Sequence, residues 1–175
     1  LANSEAVKQY YVRKIGVSSE RITVIPNGID LAVFDSTDGS VVVKELELPK
    51  SRVVITCVAN LAKNKGHRYL LEAFEGLAGR DGRLWLLLVG TGEEESILRQ
   101  QVAKYASRRR ILFLGRRTDV PAILAASDIF VLPTLFEGMS NAIQEAMAAS
   151  LPIITTDIAE NRILITNTHN SLLVL

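Results

Sequence analysis

The residues best placed by type and spacing to do chemistry stand in one segment, Pro133-Thr134-Leu135-Phe136-Glu137-Gly138-Met139-Ser140-Asn141-Ala142-Ile143-Gln144-Glu145-Ala146. An apolar periodicity starts at Ala142, so a helix is predicted over 142–149 with Ser140 or Asn141 as its cap. Gly138 permits tight backbone at the junction between loop and helix. Free N–H groups at a helix start, with the helix dipole behind them, make an anion site suited to phosphate. Glu137 precedes that start and Glu145 falls in the second turn. A carboxylate accepts hydrogen bonds from vicinal hydroxyls, as on ribose or a sugar ring. Two carboxylates flanking one amide nest therefore suit a sugar–phosphate ligand. The plainer reading makes Ser140 a simple cap and Glu145 a solvated face residue.

Other candidates are weaker. Lys63 and Lys65, just before Gly66, follow an apolar run and precede a helical pattern, so a cation there would meet a phosphate at the same rim. Gly90-Thr91-Gly92 has the start of a dinucleotide loop, but Glu95 stands where the third glycine would be, against a nicotinamide or flavin domain. His67 and His169 are the two histidines; with one cysteine and no close histidine pair, no metal site is expected. His67 opens a helix and reads as a surface or capping residue. Cys57, inside the run Val53-Val54-Ile55-Thr56-Cys57-Val58-Ala59, reads as a buried structural thiol. Ser140 has no obvious base partner and no Gly-x-Ser-x-Gly elbow, which disfavours a hydrolase. Arg108-Arg109-Arg110 and Arg116-Arg117 read as solvated turns, Arg116 being the one placed to face a cleft after Gly115.

These residues must be carried by an alternation of short apolar runs and helical patterns. Strands are predicted at 22–25, 53–59, 84–89, 111–114, 129–132, 153–155 and 172–174, helices at 6–15, 68–77, 93–105, 120–126 and 142–149. Several strands are apolar without alternation, as in parallel sheets covered on both faces. Strand starts 18 to 31 residues apart from position 53 onward suit right-handed βα units. The fold class is α/β, a doubly wound, Rossmann-like parallel sheet, and its ligands belong beyond the carboxyl ends of the strands. Residues 35–40 read as a surface loop, and Pro26-Asn27-Gly28 forces a turn after the first short strand.

Composition narrows the classes. The 175 residues are 48% hydrophobic and 22% charged, which excludes a disordered tail. No apolar stretch approaches the roughly 18 residues of a membrane-spanning helix. A net charge of +1 gives no case for nucleic acid. The single cysteine excludes an intrachain disulfide. A start at Leu1 and an end on Leu172-Leu173-Val174-Leu175, a run that ordinarily lies inside a core, mark the chain as a piece of a longer protein.

At these residues the sequence resembles the retaining glycosyltransferases of the GT-B fold, family 4. Ile25-Pro26-Asn27-Gly28-Ile29-Asp30, Lys65-Gly66, Val89-Gly90-Thr91-Gly92, Phe113-Leu114-Gly115 and Ala126-Ser127-Asp128-Ile129-Phe130-Val131-Leu132-Pro133 follow in the family's order, and Glu137 to Glu145 is its Glu-x7-Glu signature. The resemblance implies the C-terminal, donor-binding half of a two-domain enzyme. Residues 1–18 would then be the remnant of the N-terminal domain and linker, and 19–175 the sugar-nucleotide domain, truncated at its C-terminal end.

In such a domain Glu145 would bind the ribose hydroxyls and Glu137 the donor sugar. Gly138, Met139, Ser140 and Asn141 would lie near the sugar and diphosphate, and Lys65 would neutralise the diphosphate as the glycosidic bond breaks. Lys63, Gly90, Gly115 and Arg116 complete the expected donor-binding set. The expected donor is a UDP- or GDP-sugar, used as substrate, with no cofactor and no metal. The acceptor would be a glycan or lipid-linked glycan held by the absent N-terminal domain. The implied setting is the cytoplasm, with peripheral association of the full-length enzyme at the inner face of the membrane. The sequence departs from the family where Asn60 and Ala62 replace an arginine, and where 157–163 lacks a Gly-Gly pair and its glutamate. The competing readings are a sugar-nucleotide epimerase-like domain and a non-enzymatic α/β module; Asn60 and two lysines after the 53–59 strand argue against a receiver domain, which needs acidic residues there.

Overall fold

A computed structural model describes residues 1–165 and 171–174. Its centre is a six-stranded parallel sheet of order β3-β2-β1-β4-β5-β6, from strands β1 (Val53–Val58), β2 (Leu84–Val89), β3 (Ile111–Gly115), β4 (Ile129–Leu132), β5 (Ile153–Thr156) and β6 (Ser171–Val174). All five pairings are parallel. The sheet is doubly wound, as expected.

Alternation along the strands feeds two cores. Ile55, Cys57, Leu86 and Leu88 turn to one face. There they meet α4 (His67–Ala78) and α5 (Glu95–Val102), through Phe74 and Leu98 among others, while α7 (Asn141–Ala148) packs on β4 and β5. Val54, Leu87 and Val89 turn to the other, against Val42 of α3 (Ser40–Glu45) and Ile123 of α6 (Val120–Ala125). Burial on both faces explains why these strands read as unbroken apolar runs.

The ends of the chain depart from expectation. Residues 22–25 form no strand; only Val24 pairs, in a single parallel bridge to Ala2, and Pro26 has no N–H with which to extend it. The helix expected at 6–15 is α1 (Glu5–Tyr10) continued as a π-helical turn, Tyr11–Ile15, which Gly16 ends in the left-handed region. The loop expected at 35–40 shrinks to residues 36–39 between α2 (Ala32–Asp35) and α3. A further helix, α8 (Ala159–Leu164), follows β5. Of the closing apolar run, Leu172, Leu173 and Val174 lie on β6, where Leu172 is exposed and Leu173 packs against the core. His169 and Leu175 lie outside the described residues.

Strand order decides where a site forms. The sheet grows outward in opposite directions from the neighbours β1 and β4, so a crevice opens beyond the carboxyl ends of these two strands. The loops leaving those ends carry Lys65 and Glu137.

Candidate functional site

The two loops are fastened together. Leu135 N donates to Asn64 O at 2.7 Å, and the Asn64 side chain donates to Phe136 O at 3.3 Å. Thr134 Oγ1 donates to Asn64 O at 3.3 Å and to Phe136 O at 2.9 Å. Gly66 makes the approach possible: at φ +70° it sits so close that a Cβ would lie 1.9 Å from Pro133 O. With the loops locked, Lys65 Nζ reaches Glu137 Oε1 at 2.5 Å, the two side chains 18% and 12% exposed.

The second wall is the start of α7. Ser140 takes extended geometry and its hydroxyl accepts from Ile143 N at 3.4 Å. The first-turn amides of Asn141 and Ala142 have no intrahelical partner, and the helix dipole points its positive end at the cleft. One turn on, Glu145 faces the same space, and burial alone pushes its carboxyl above the ordinary glutamate value. The resulting cleft encloses about 430 Å³, lined by Asn60, Lys65, Glu137, Met139, Asn141 and Glu145 among others. One ammonium, free amides and two carboxylates thus converge where both anionic and hydroxylated parts of a ligand would find partners.

Behind Lys65 lies a buried pair. His67 is 2% exposed, its Nε2 3.7 Å from Cys57 Sγ. Burial first, and the Lys65 charge second, lower its pKa to about 4. Burial likewise pushes the Cys57 thiol up to about 12. His67 is therefore not the surface or capping residue expected, because the positive φ at Gly66 turns the helix start into the core.

Of the expected donor-binding residues, the structure brings Lys65, Glu137, Met139, Ser140, Asn141 and Glu145 together. Gly138 sits between Glu137 and Met139, where a Cβ would lie 3.1 Å from Asn3 Oδ1 and from Val7 Cγ2. The Ser140 hydroxyl is occupied by the cap. Lys63 is exposed and lines a separate, smaller pocket with Arg68 and Tyr69. Gly90 and Gly115 act through backbone, Gly90 N donating to Gly115 O at 2.8 Å, and neither lines the cleft. Arg116 is exposed and stands outside it. Its neighbour Arg117 instead bridges Glu45 and Asp119. Arg110 ties the end of α4, donating to Ala78 O and Asp81 O.

Two asparagines that sequence reasoning did not single out, Asn3 and Asn27, also line the cleft. The turn at Pro26-Asn27-Gly28 was the available signal. Among the described residues no group of three or more His, Cys, Asp or Glu could hold a metal ion, and no helix is long and apolar enough to cross a membrane.

A family model for glycosyl transferases group 1 matches residues 52–175, and one for glycosyltransferase family 4 matches residues 1–33. The chain belongs to the glycosyl transferases group 1 family. It is 35% identical over 172 residues to a UDP-Gal:alpha-D-GlcNAc-diphosphoundecaprenol alpha-1,3-galactosyltransferase of Escherichia coli, covering 95% of this chain and 44% of that one. It is 32% identical over 136 residues to an N-acetyl-alpha-D-glucosaminyl L-malate synthase of Bacillus anthracis, covering 77% and 35%. Among solved structures, Anabaena HepE in complex with UDP and glucose superposes with a TM-score of 0.86 at 26% identity, covering 99% of this chain and 48% of that one. The chain spans less than half the length of these relatives.

Proposed function

We propose that this chain is the donor-binding part of a retaining glycosyltransferase that moves a hexosyl group from a nucleoside diphosphate sugar to a glycan or lipid-linked acceptor. The observation that carries the reading is the convergence of Lys65, Glu137, the α7 amides and Glu145 in one cleft at the β1/β4 switch point. The similarity to a UDP-galactose enzyme and to a HepE complex with UDP and glucose favours a UDP-sugar over a GDP-sugar.

In this reading Glu145 accepts hydrogen bonds from the ribose hydroxyls, the amides at the start of α7 meet the diphosphate, and Glu137 contacts the donor sugar. Lys65 supports departure of the nucleoside diphosphate: as the bond from the anomeric carbon to the phosphate oxygen breaks, its ammonium offsets the charge left on that oxygen. The acceptor hydroxyl attacks the anomeric carbon from the same face, and its proton passes to the departing phosphate. The configuration is retained. The chain's own residues supply this chemistry without a metal. The acceptor binds to parts of the protein beyond this chain, at the inner face of the membrane.

Backbone NMR of the chain with UDP, GDP and ADP tests the reading. It expects saturable shifts, largest for UDP and confined to residues 60–66 and 137–145. Shifts scattered elsewhere, or none from folded protein, would overturn it.

A further inference from the structure

The turn at Pro26-Asn27-Gly28 does more than reverse the chain. Ala2 N donates to Thr23 O at 3.0 Å and Ile25 N to Ala2 O at 2.9 Å, which lays the segment before the turn beside the start of the chain. Pro26 ends that pairing, and Asn27 lands on the start of α7. Its Nδ2 donates to Asn141 Oδ1 at 2.7 Å and to Met139 O at 3.4 Å. Gln144 Nε2 donates back to Asn27 O at 3.4 Å. One asparagine thus holds both sides of the Ser140 cap, 112 or more residues away in sequence.

The two groups it holds are both acceptors. Met139 O and Asn141 Oδ1 flank the amides that would meet the diphosphate, and either oxygen turned into the cleft would repel a phosphate. We propose that Asn27 is a positioning residue for the donor site: by engaging these two oxygens it leaves the wall at 139–142 presenting donors to an anionic ligand. The inference rests on the reading of the cleft as a nucleoside diphosphate sugar site. It also ties the segment matched by the family 4 model to the segment matched by the group 1 model, since Asn27 lies in one and its partners in the other.

Asn27→Ala is the discriminating variant, because it removes the donor without adding to the cleft a charge that would itself repel a phosphate. Calorimetric or NMR titration with UDP, UMP and uridine reads the effect. The expected loss grows with ligand charge: roughly tenfold for UDP, the size of one hydrogen bond to a charged group, less for UMP, and within about twofold for uridine. Amide hydrogen exchange at 139–143 is also expected to speed up in the free variant.

A purely structural role would weaken all three ligands by the same factor through the folded fraction. That result, or UDP affinity equal to the parent chain's, overturns the proposal. Should Asn27→Ala fail to fold, Asn27→Ser, which cannot span the distance to Asn141, is expected to give the same charge ordering. If the parent chain binds neither UDP nor UMP, the donor-site reading itself falls and this proposal with it; if only the variant's ordering fails, the donor-site reading stands.

Discussion

Lys65 and Glu137 hold each other at 2.5 Å, so on the proposed reading the donor's diphosphate must compete with a carboxylate for the same ammonium. Removing that competitor has a defined direction: Glu137→Gln should tighten UDP binding severalfold, about 0.5–1 kcal/mol for a partly exposed pair, measured by calorimetry. Glu145 carries the opposite tension. Its pKa is raised by burial, so between the ordinary glutamate value and the raised one the folded chain keeps a proton the unfolded chain gives up. Stability therefore falls as pH rises through that window. Glu145→Gln should raise the thermal midpoint at neutral pH and still weaken nucleotide binding, because a ribose pair favours the charged acceptor.

His67 behaves the other way. Its pKa is lowered from 6.5 to about 4, so its contribution is whole above 6.5 and is lost as pH falls toward 4. Denaturant melts of the chain and of His67→Gln should diverge by roughly 3 kcal/mol in slope-integrated stability across that range. Parallel curves would show that the histidine is not buried. That the two glutamates and Lys65 would gather at one rim was legible in the sequence, because each lies in a loop or helix start just beyond the carboxyl end of a strand. The burial of His67 was not, since it follows from a positive φ at the preceding glycine, which no residue count reveals.

At the scale of elements, the site is made by one close approach. Gly66 lets the loop after β1 touch Pro133 at the end of β4, and the bonds through Asn64 follow from it. Gly66→Ala combines a left-handed backbone with a collision against a carbonyl. It should cost about 2–4 kcal/mol in urea denaturation, at the large end for a single substitution. Loosening of the Lys65–Glu137 pair should be visible as faster exchange at 134–137. A variant as stable as the parent chain would remove this approach from the account.

The six strands of the sheet and the longer helices beside them were readable as short apolar runs alternating with helical patterns, unbroken where a parallel strand is buried on both faces. The residues that misled are those where one contact decides. Residues 22–25 have strand composition but a single partner at Ala2, and α2, α3 and α8 are too short to show a period. Val42 is buried through α3, whose start at Gly39 packs against the backbone of Ala125 and Ala126, a tertiary contact no local pattern announces.

Among the described residues the chain is a doubly wound sheet with one equipped crevice, and it spans less than half the length of its relatives. On the proposed reading, this crevice takes the donor and the acceptor binds to parts of the protein beyond this chain. The chain by itself should bind a UDP-sugar and show no transfer to a glycan or lipid-linked acceptor in a radiolabel assay. Turnover comparable to a full-length relative would mean that the acceptor site lies inside this fold.

The most direct test of the central claim is a calorimetric titration of the chain and of Glu145→Ala with UDP. The account predicts saturable one-to-one binding, weakened roughly tenfold or more by the substitution, as a lost charge-assisted ribose contact requires. Folded protein that takes up no UDP, or that binds it equally well without the Glu145 carboxylate, would contradict it.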